Sequence, residues 1–439
     1  MTWKKTIILG IIFLLLGGAY WYFEIIQQES HIRKDLEQRR LLSGVSRIYK
    51  FRIKTRSDIV EVAQDTASKE WWVVHPVRYP ADNKQVQVVL RAALGIHYTD
   101  VITENGHPQH FGLTPRPWVE FSAQGITFKL GDESPTGNGV YAQIDESDSI
   151  LLVPLKYRRA LLNTSADLRD KSILPDIELI DLDSVEIIRP DDRIALERKG
   201  FRWWITHPVY EKADNKIANE LIQTIINEKA TEFFAENHSD SILNRLDAKQ
   251  LLESIFYTTD GNRYQLSVFG KYFPNDTIFE YILAYTPDKM PLFEVSSNML
   301  AVSEISINDI RDRTPFSVSD ADKIVIRSGD DFVFRAKYTE NGWMMQYPDS
   351  IALNDEKVEN ILRTFESTYI DSFMNDGNFN PSGWEFTFYI GEDSLPLLIG
   401  KNVGKNVQLK LKTRDYYYLC NNPALMRLCD TNLINYIIN

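Results

Sequence analysis

Apolar and polar residues alternate through Val45, Arg47, Ile48, Tyr49, Phe51 and Ile53, the period of a half-buried strand, and a second short run follows near Ile59 to Val62. An aromatic strand, Trp71-Trp72-Val73-Val74-His75, stops at Pro76, which has no N–H to continue a ladder. Asp82 stands where a helix N-cap belongs, and Val86, Val89, Leu90 and Ala93 follow at helical spacing on one face. The same order returns twice. Trp203-Trp204-Ile205-Thr206-His207-Pro208 precedes Asp214 and the face Ala218, Leu221, Ile222 and Ile225. Trp343-Met344-Met345-Gln346-Tyr347-Pro348 precedes Asn354 and the face Val358, Ile361, Leu362 and Phe365. The second copy trails the first by 132 residues at both the proline and the cap, and the third trails the second by 140.

The rest of each copy keeps step. An asparagine-containing loop follows the helix: Glu104-Asn105-Gly106, Glu236-Asn237 and Asn375-Asp376-Gly377. Strand patterns come next at 118–122 with 128–131, at 264–270, and at 384–390 with 398–400. A last hairpin closes each copy, at 141–144 with 150–153, 281–285 with 292–295, and 407–411 with 416–420. Copies one and two end on nearly the same junction, Leu168-Arg169-Asp170-Lys171-Ser172 and Ile310-Arg311-Asp312-Arg313-Thr314, which the third lacks. The pattern predicts an α+β fold, each copy a mainly antiparallel sheet with one longer helix and a short one. A period near 135 residues means tandem domains rather than a short-period solenoid.

Ahead of the copies, Lys4 and Lys5 precede an uncharged apolar run over 6–23, roughly 27 Å as a helix and long enough to cross a bilayer core of about 30 Å. Tyr20, Trp21, Tyr22 and Phe23 close it as an aromatic belt, and the lysines favour an N-inside orientation with the bulk of the chain outside the cytoplasm. Gly17-Gly18-Ala19 would suit signal cleavage, but bulky aromatics follow at once, so the run reads as an uncleaved signal-anchor. Without a cysteine after it, a lipoprotein is excluded. Residues 24–43 are charged, lack proline, and place Ile25, Ile32 and Leu36 near one helical face, a helical stalk. The expected organisation is an anchor over 1–23, a stalk over 24–43, and repeats over 44–175, 176–316 and 317–439.

A net charge of −12 argues against a nucleic-acid surface, which needs a basic stripe. Two cysteines, Cys420 and Cys429, cannot make a disulfide framework or a four-cysteine zinc site, though in an oxidising compartment they would close one small loop. His75 and His207 match, but Tyr347 takes their place in the third copy, which favours packing over metal binding or catalysis. His107-Pro108-Gln109-His110, with His97 nearby, could supply ligands for one zinc, but the proline between them and the lack of counterparts in the other copies favour a turn. Residues 131–139 are glycine-rich but carry Asp132 and Glu133 and no Gly-Lys-Ser/Thr, so they read as a hairpin connection, not a phosphate loop. Asp376-x-Asn378-x-Asn380 starts like a calcium loop, but Pro381 stands where the glycine belongs. No catalytic residue, cofactor site or metal site emerges. The tryptophans Trp71, Trp72, Trp203, Trp204 and Trp343 are the candidates for interaction: neighbours in a strand face opposite sides, so one of each pair is core and the other is free for a neighbouring element or a partner.

The N-terminal apolar helix, the Trp-x-x-x-x-Pro strands, the Ala-Asp-led helices, Phe111-Gly112-Leu113-x-Pro115 and the Leu-Arg-Asp-Lys junction together resemble one bacterial family of membrane-anchored repeat proteins. It is a domain of unknown function, often encoded beside gliding-type ABC transporter components. The resemblance implies an envelope location in the cytoplasmic membrane and brings no catalytic residues. The expected function is therefore a non-enzymatic, membrane-tethered extracytoplasmic (periplasmic) accessory or scaffold protein of an envelope complex, such as an ABC-type transporter. The alternative is a glycan or lipid-precursor binding module that uses the tryptophans.

Overall fold

The computed structural model describes residues 3, 10–18, 20–22, 35–103, 106–145, 147–238, 240–273 and 279–425. The first repeat is one nine-stranded sheet built from β1 (Lys50–Thr55), β2 (Ile59–Gln64), β3 (Trp71–His75), β4 (Tyr79–Pro80), β5 (Asp100–Thr103), β6 (Val119–Ala123), β7 (Ile126–Glu133), β8 (Val140–Ile144) and β9 (Ile150–Val153). Its strand order is β4-β3-β2-β1-β6-β7-β8-β9-β5, with antiparallel neighbours throughout. A nine-stranded sheet of the same order spans Leu182 to Glu294, and an eight-stranded one spans Lys323 to Cys420. Among the described residues the third sheet has no counterpart of β4; a bridge from Met344 to Ala352 stands in its place.

The expected helices form where the caps and faces put them. Asp82 accepts the N–H groups of Lys84 and Gln85 at 2.8 and 3.2 Å ahead of α1 (Asn83–Gly95), which buries Val86, Val89, Leu90 and Ala93. Asp214 accepts from Lys216 and Ile217 ahead of the helix Asn215–Ile226, and Asn354 accepts from Lys357 ahead of Asp355–Glu366. Each cap satisfies donors that a helix start otherwise leaves bare. In every copy the helix face joins a cluster of strand residues, and the three clusters are separate cores. The same register shift falls one residue before the strand ends at His75, His207 and Tyr347, and each of these residues makes a cis bond to its proline.

The sequence pattern does not predict the edge strands β4 and β5 and their counterparts, nor two elements of the second repeat. The strand Lys249–Thr258 opens the middle of the second sheet; Lys249, Gln250 and Glu253 break the alternation in its first half. The short helix Asp240–Leu246 precedes it. The core of the first repeat also reaches back to Leu41 and Leu42, with the Leu41 N–H donating to Ile96 O. The chain folds as two compact bodies, 1–172 and 173–439, the second holding repeats two and three.

Residues 10–18 and 20–22 are helical, and among the described residues no helix is long and apolar enough to cross a membrane. Lys4, Lys5, Phe23 and the first part of the expected stalk lie outside the described residues.

Candidate functional site

The tryptophan pairs divide between core and surface. Trp71, Trp203 and Trp343 are buried, each against its own repeat's helix and sheet. The indole of Trp203 donates to Asn219 Oδ1 at 2.8 Å, and its backbone N–H donates to Asn215 Oδ1. Trp72 and Trp204 face the other side and are half-buried. The guanidinium of Arg78 lies 4.6 Å from the Trp72 ring, and Tyr210 stacks on Trp204 at 5.4 Å. Both outward rings already carry a partner from their own repeat.

The junction segments place the first arginine cluster. Leu168 and Ile310 are fully buried, and the short helices before them carry capping boxes, Thr164 with Asp167 and Ser306 with Asp309. Each junction pairs beside its cap residue: the Asp82 N–H donates to Leu168 O and the Asp214 N–H to Ile310 O. That pairing sinks Arg311 into the second body. Its Nε donates to Glu211 Oε2 at 2.6 Å, and its guanidinium sits 4.1 Å from both the Phe373 and Tyr416 rings. Glu211 Oε1 accepts the Tyr418 hydroxyl at 3.2 Å. Burial, and then the charge of Glu211, hold the Tyr418 phenol far above its ordinary pKa, so it remains a donor. Arg313 donates to the carbonyls of Ile370 and Asp371, and Lys212 to Ser317 Oγ. Glu211 and Arg311 belong to repeat two, and Phe373, Tyr416 and Tyr418 to repeat three. The cluster pins the two repeats together.

A second cluster lies in the first repeat and is open. The Trp118 indole donates to Asp132 Oδ1 at 2.8 Å. The guanidinium of Arg56 lies 3.8 Å from the Trp118 ring, with its Nε donating to Arg116 O and its terminal nitrogen 3.4 Å from Asp132. Arg158 approaches the same ring at 5.3 Å and donates to Gly131 O and Glu133. The Phe111-Gly112-Leu113-x-Pro115 element builds this corner. Gly112 has φ +67°, where a side chain is strained, and a Cβ on it would lie 2.4 Å from the Asp132 carboxyl and displace it. Leu113 is fully buried, and the bond from Thr114 to Pro115 is cis. Beside the cluster, the turn between β1 and β2, the end of β3 and the loop before β6 enclose an open groove of about 440 Å3.

The remaining candidates are placed as follows. His107 caps a single 3-10 turn, Pro108–Phe111, that contains His110, and the two rings lie 5.7 Å apart. His97 Nδ1 meets Gly95 O and the Tyr157 hydroxyl. Residues 131–139 lead from β7 into β8, as a hairpin connection should. Among the described residues no group of three His, Cys, Asp or Glu is placed to hold a metal ion. Glu232 and Glu294 are the cross-strand carboxylate pair hidden from a linear reading; burial, then Glu232, raises the Glu294 pKa. Cys420 is buried, its Sγ 3.6 Å from Val407 O, and burial pushes its thiol up to about 12. Cys429, and so the expected bond between the two, lies outside the described residues.

These features define a tandem-repeat protein of antiparallel sheets, each carrying a capped helix. The chain belongs to the family described as Domain of unknown function (DUF4340), which matches residues 71–249 and 203–383. Both matches begin on the first tryptophan of a pair, run through the helix and the junction, and continue past the aromatic strand and the helix of the next repeat. Each match thus spans a junction arginine, Arg169 or Arg311. A comparison with curated proteins finds no match. A crystal structure provisionally described as a DNA polymerase III beta subunit, from Eubacterium rectale, covers 69% of this chain and 87% of its own at 11% identity; its TM-score of 0.09 carries no argument.

Proposed function

We propose that the protein is a membrane-tethered extracytoplasmic scaffold that holds its repeats outside the cytoplasm to bind envelope proteins, ABC-type transporter subunits among them. The observation that carries the tether is the N-terminal helical stretch. Ile11 to Leu16 are six consecutive apolar side chains, more than one and a half turns, and each is between 46% and 78% exposed. Tyr20, Trp21 and Tyr22 beyond them are exposed too. A helix apolar on every side and covered on none is stable only when another medium covers it, and a bilayer supplies that medium. The scaffold half draws support from the pinned repeats: the Arg311, Glu211 and Tyr418 cluster joins repeats two and three and is buried.

In-cell cross-linking of the full chain, followed by identification of the linked proteins, tests this reading. The expected result is membrane or envelope proteins linked at sites on the repeats; cytoplasmic proteins alone would overturn it. The glycan-binding alternative rests on Trp72 and Trp204, half-exposed beneath Arg78 and Tyr210. Envelope glycans that bind the full chain and are lost on Trp72→Ala with Trp204→Ala would favour it.

A further inference from the structure

The groove of the first repeat is chemically unlike the same corner of the other two. Lys54, Arg56 and Arg116 line it, against Asp58 as its one acidic residue. The corresponding turn is Arg189-Pro190-Asp191-Asp192 in repeat two and Gly329-Asp330 in repeat three, both rich in acid. There Arg189 is consumed, bound to Asp192 at 2.7 Å and to the carbonyls of Ser303 and Ile305. In repeat one Arg56 reaches Asp132 and Arg116 O, and the acid of the turn is engaged as well. Asp58 accepts the N–H groups of Ile59 at 2.7 Å and Ser165 at 2.6 Å, tying the turn to the helix before the junction.

What remains is positive charge in a protein whose net charge is −12. The side chains of Lys54 and Arg116 have no hydrogen-bond or ion-pair partner among the described residues. Of the nearby acids, Glu61 and Asp132 are engaged, whereas Glu120 is the cross-strand neighbour of Lys54 and, among the described residues, forms no ion pair with it. Glu61, opposite His75, pairs with Lys50 and Arg52, and Asp132 serves Trp118 and Arg56. Pro76, Pro115 and Pro117 stiffen the walls, so the cations are presented with little ordering left to do.

We propose that this groove is a binding site for an oxyanion, a phosphate ester or carboxylate, held by Lys54 and Arg116 with Arg56 as a third contact. Charge-assisted hydrogen bonds from a guanidinium and an ammonium suit that chemistry, and the local field opposes the acidic background. The inference stands apart from the tether, because it needs only the first repeat's geometry.

Trp118 reports on the site, since its indole N–H shares Asp132 with Arg56. Full-length protein in detergent, 15N-labelled and held at constant ionic strength, is titrated with inorganic phosphate, with acetate, and with phosphatidylglycerol doped into the micelles. The Trp118 indole signal, assigned by its loss in Trp118→Phe, should shift saturably in at least one arm, and the responding arm identifies the source of the anion. Lys54→Gln with Arg116→Gln should weaken that binding about tenfold or more without moving the melting temperature. The charge-keeping pair Lys54→Arg with Arg116→Lys should retain it. No saturable shift in any arm, or an unchanged shift in the Gln pair, would overturn the proposal.

Discussion

Arg311 and Arg56 are built from the same parts. Each guanidinium lies on an aromatic face about 4 Å away and reaches a carboxylate. Arg311 has rings on two sides, a 2.6 Å bond to Glu211 and a side chain 6% exposed. Arg56 has one ring, a 3.4 Å approach to Asp132 and a side chain 39% exposed. Coulomb attraction is weak where water screens it and strong where it does not, so similar contacts differ in consequence by severalfold. The closed cluster spends its chemistry on holding repeats together. The open one leaves its chemistry at the surface, beside a groove.

Glu211→Ala breaks the comparison at its strongest point. It strands the Arg311 charge between two rings and removes the acceptor of Tyr418, so it should destabilise the second body by about 3–5 kcal/mol. Denaturant unfolding of the full chain would show it; a loss under 1 kcal/mol would place the pinning elsewhere. Glu211→Gln keeps the acceptor and should cost less. Next comes Asp214→Ala, which removes a cap with two N–H partners and should cost about 1 kcal/mol with no effect on partner binding. Arg56→Gln, exposed and screened, should change stability by less than about 0.5 kcal/mol while shifting the Trp118 indole signal. Equal costs for Arg56→Gln and Glu211→Ala would erase the distinction between open and closed clusters.

Cys420 sharpens the same contrast through pH. Its folded pKa, about 12, lies above the ordinary thiol value of 9.0 because burial disfavours the thiolate. The stability that follows is fully present below pH 9 and is lost as pH rises from about 9 towards 12, where the unfolded chain ionises first. Under reducing conditions, alkylation of Cys420 in the folded protein should stay negligible at neutral pH. Rapid labelling there would mean the third core opens readily.

Much of this frame is legible along the chain because it repeats. A strand that stops at a proline, a cap six residues on and four apolar positions on one helical face are all local patterns, and they appear three times with the same spacing. The strand Lys249–Thr258 escaped because its polar first half carries no alternation. Neither arginine cluster is visible in sequence. Glu211 and Tyr418 lie 207 residues apart, and the groove draws on three segments that only the strand order β3-β2-β1-β6 brings together. The tryptophan pairs were read as one inward and one outward, but only packing shows that the outward rings lie against Arg78 and Tyr210.

The most direct test of the account is the side of the membrane on which the repeats lie. Spheroplasts carrying the full chain with a C-terminal tag, treated with protease from outside, should lose the tag while a cytoplasmic marker survives. The untreated protein should stay with membranes through a high-salt wash. A tag protected until the cells are lysed, or a chain recovered in the soluble fraction, would contradict the tethered, extracytoplasmic scaffold.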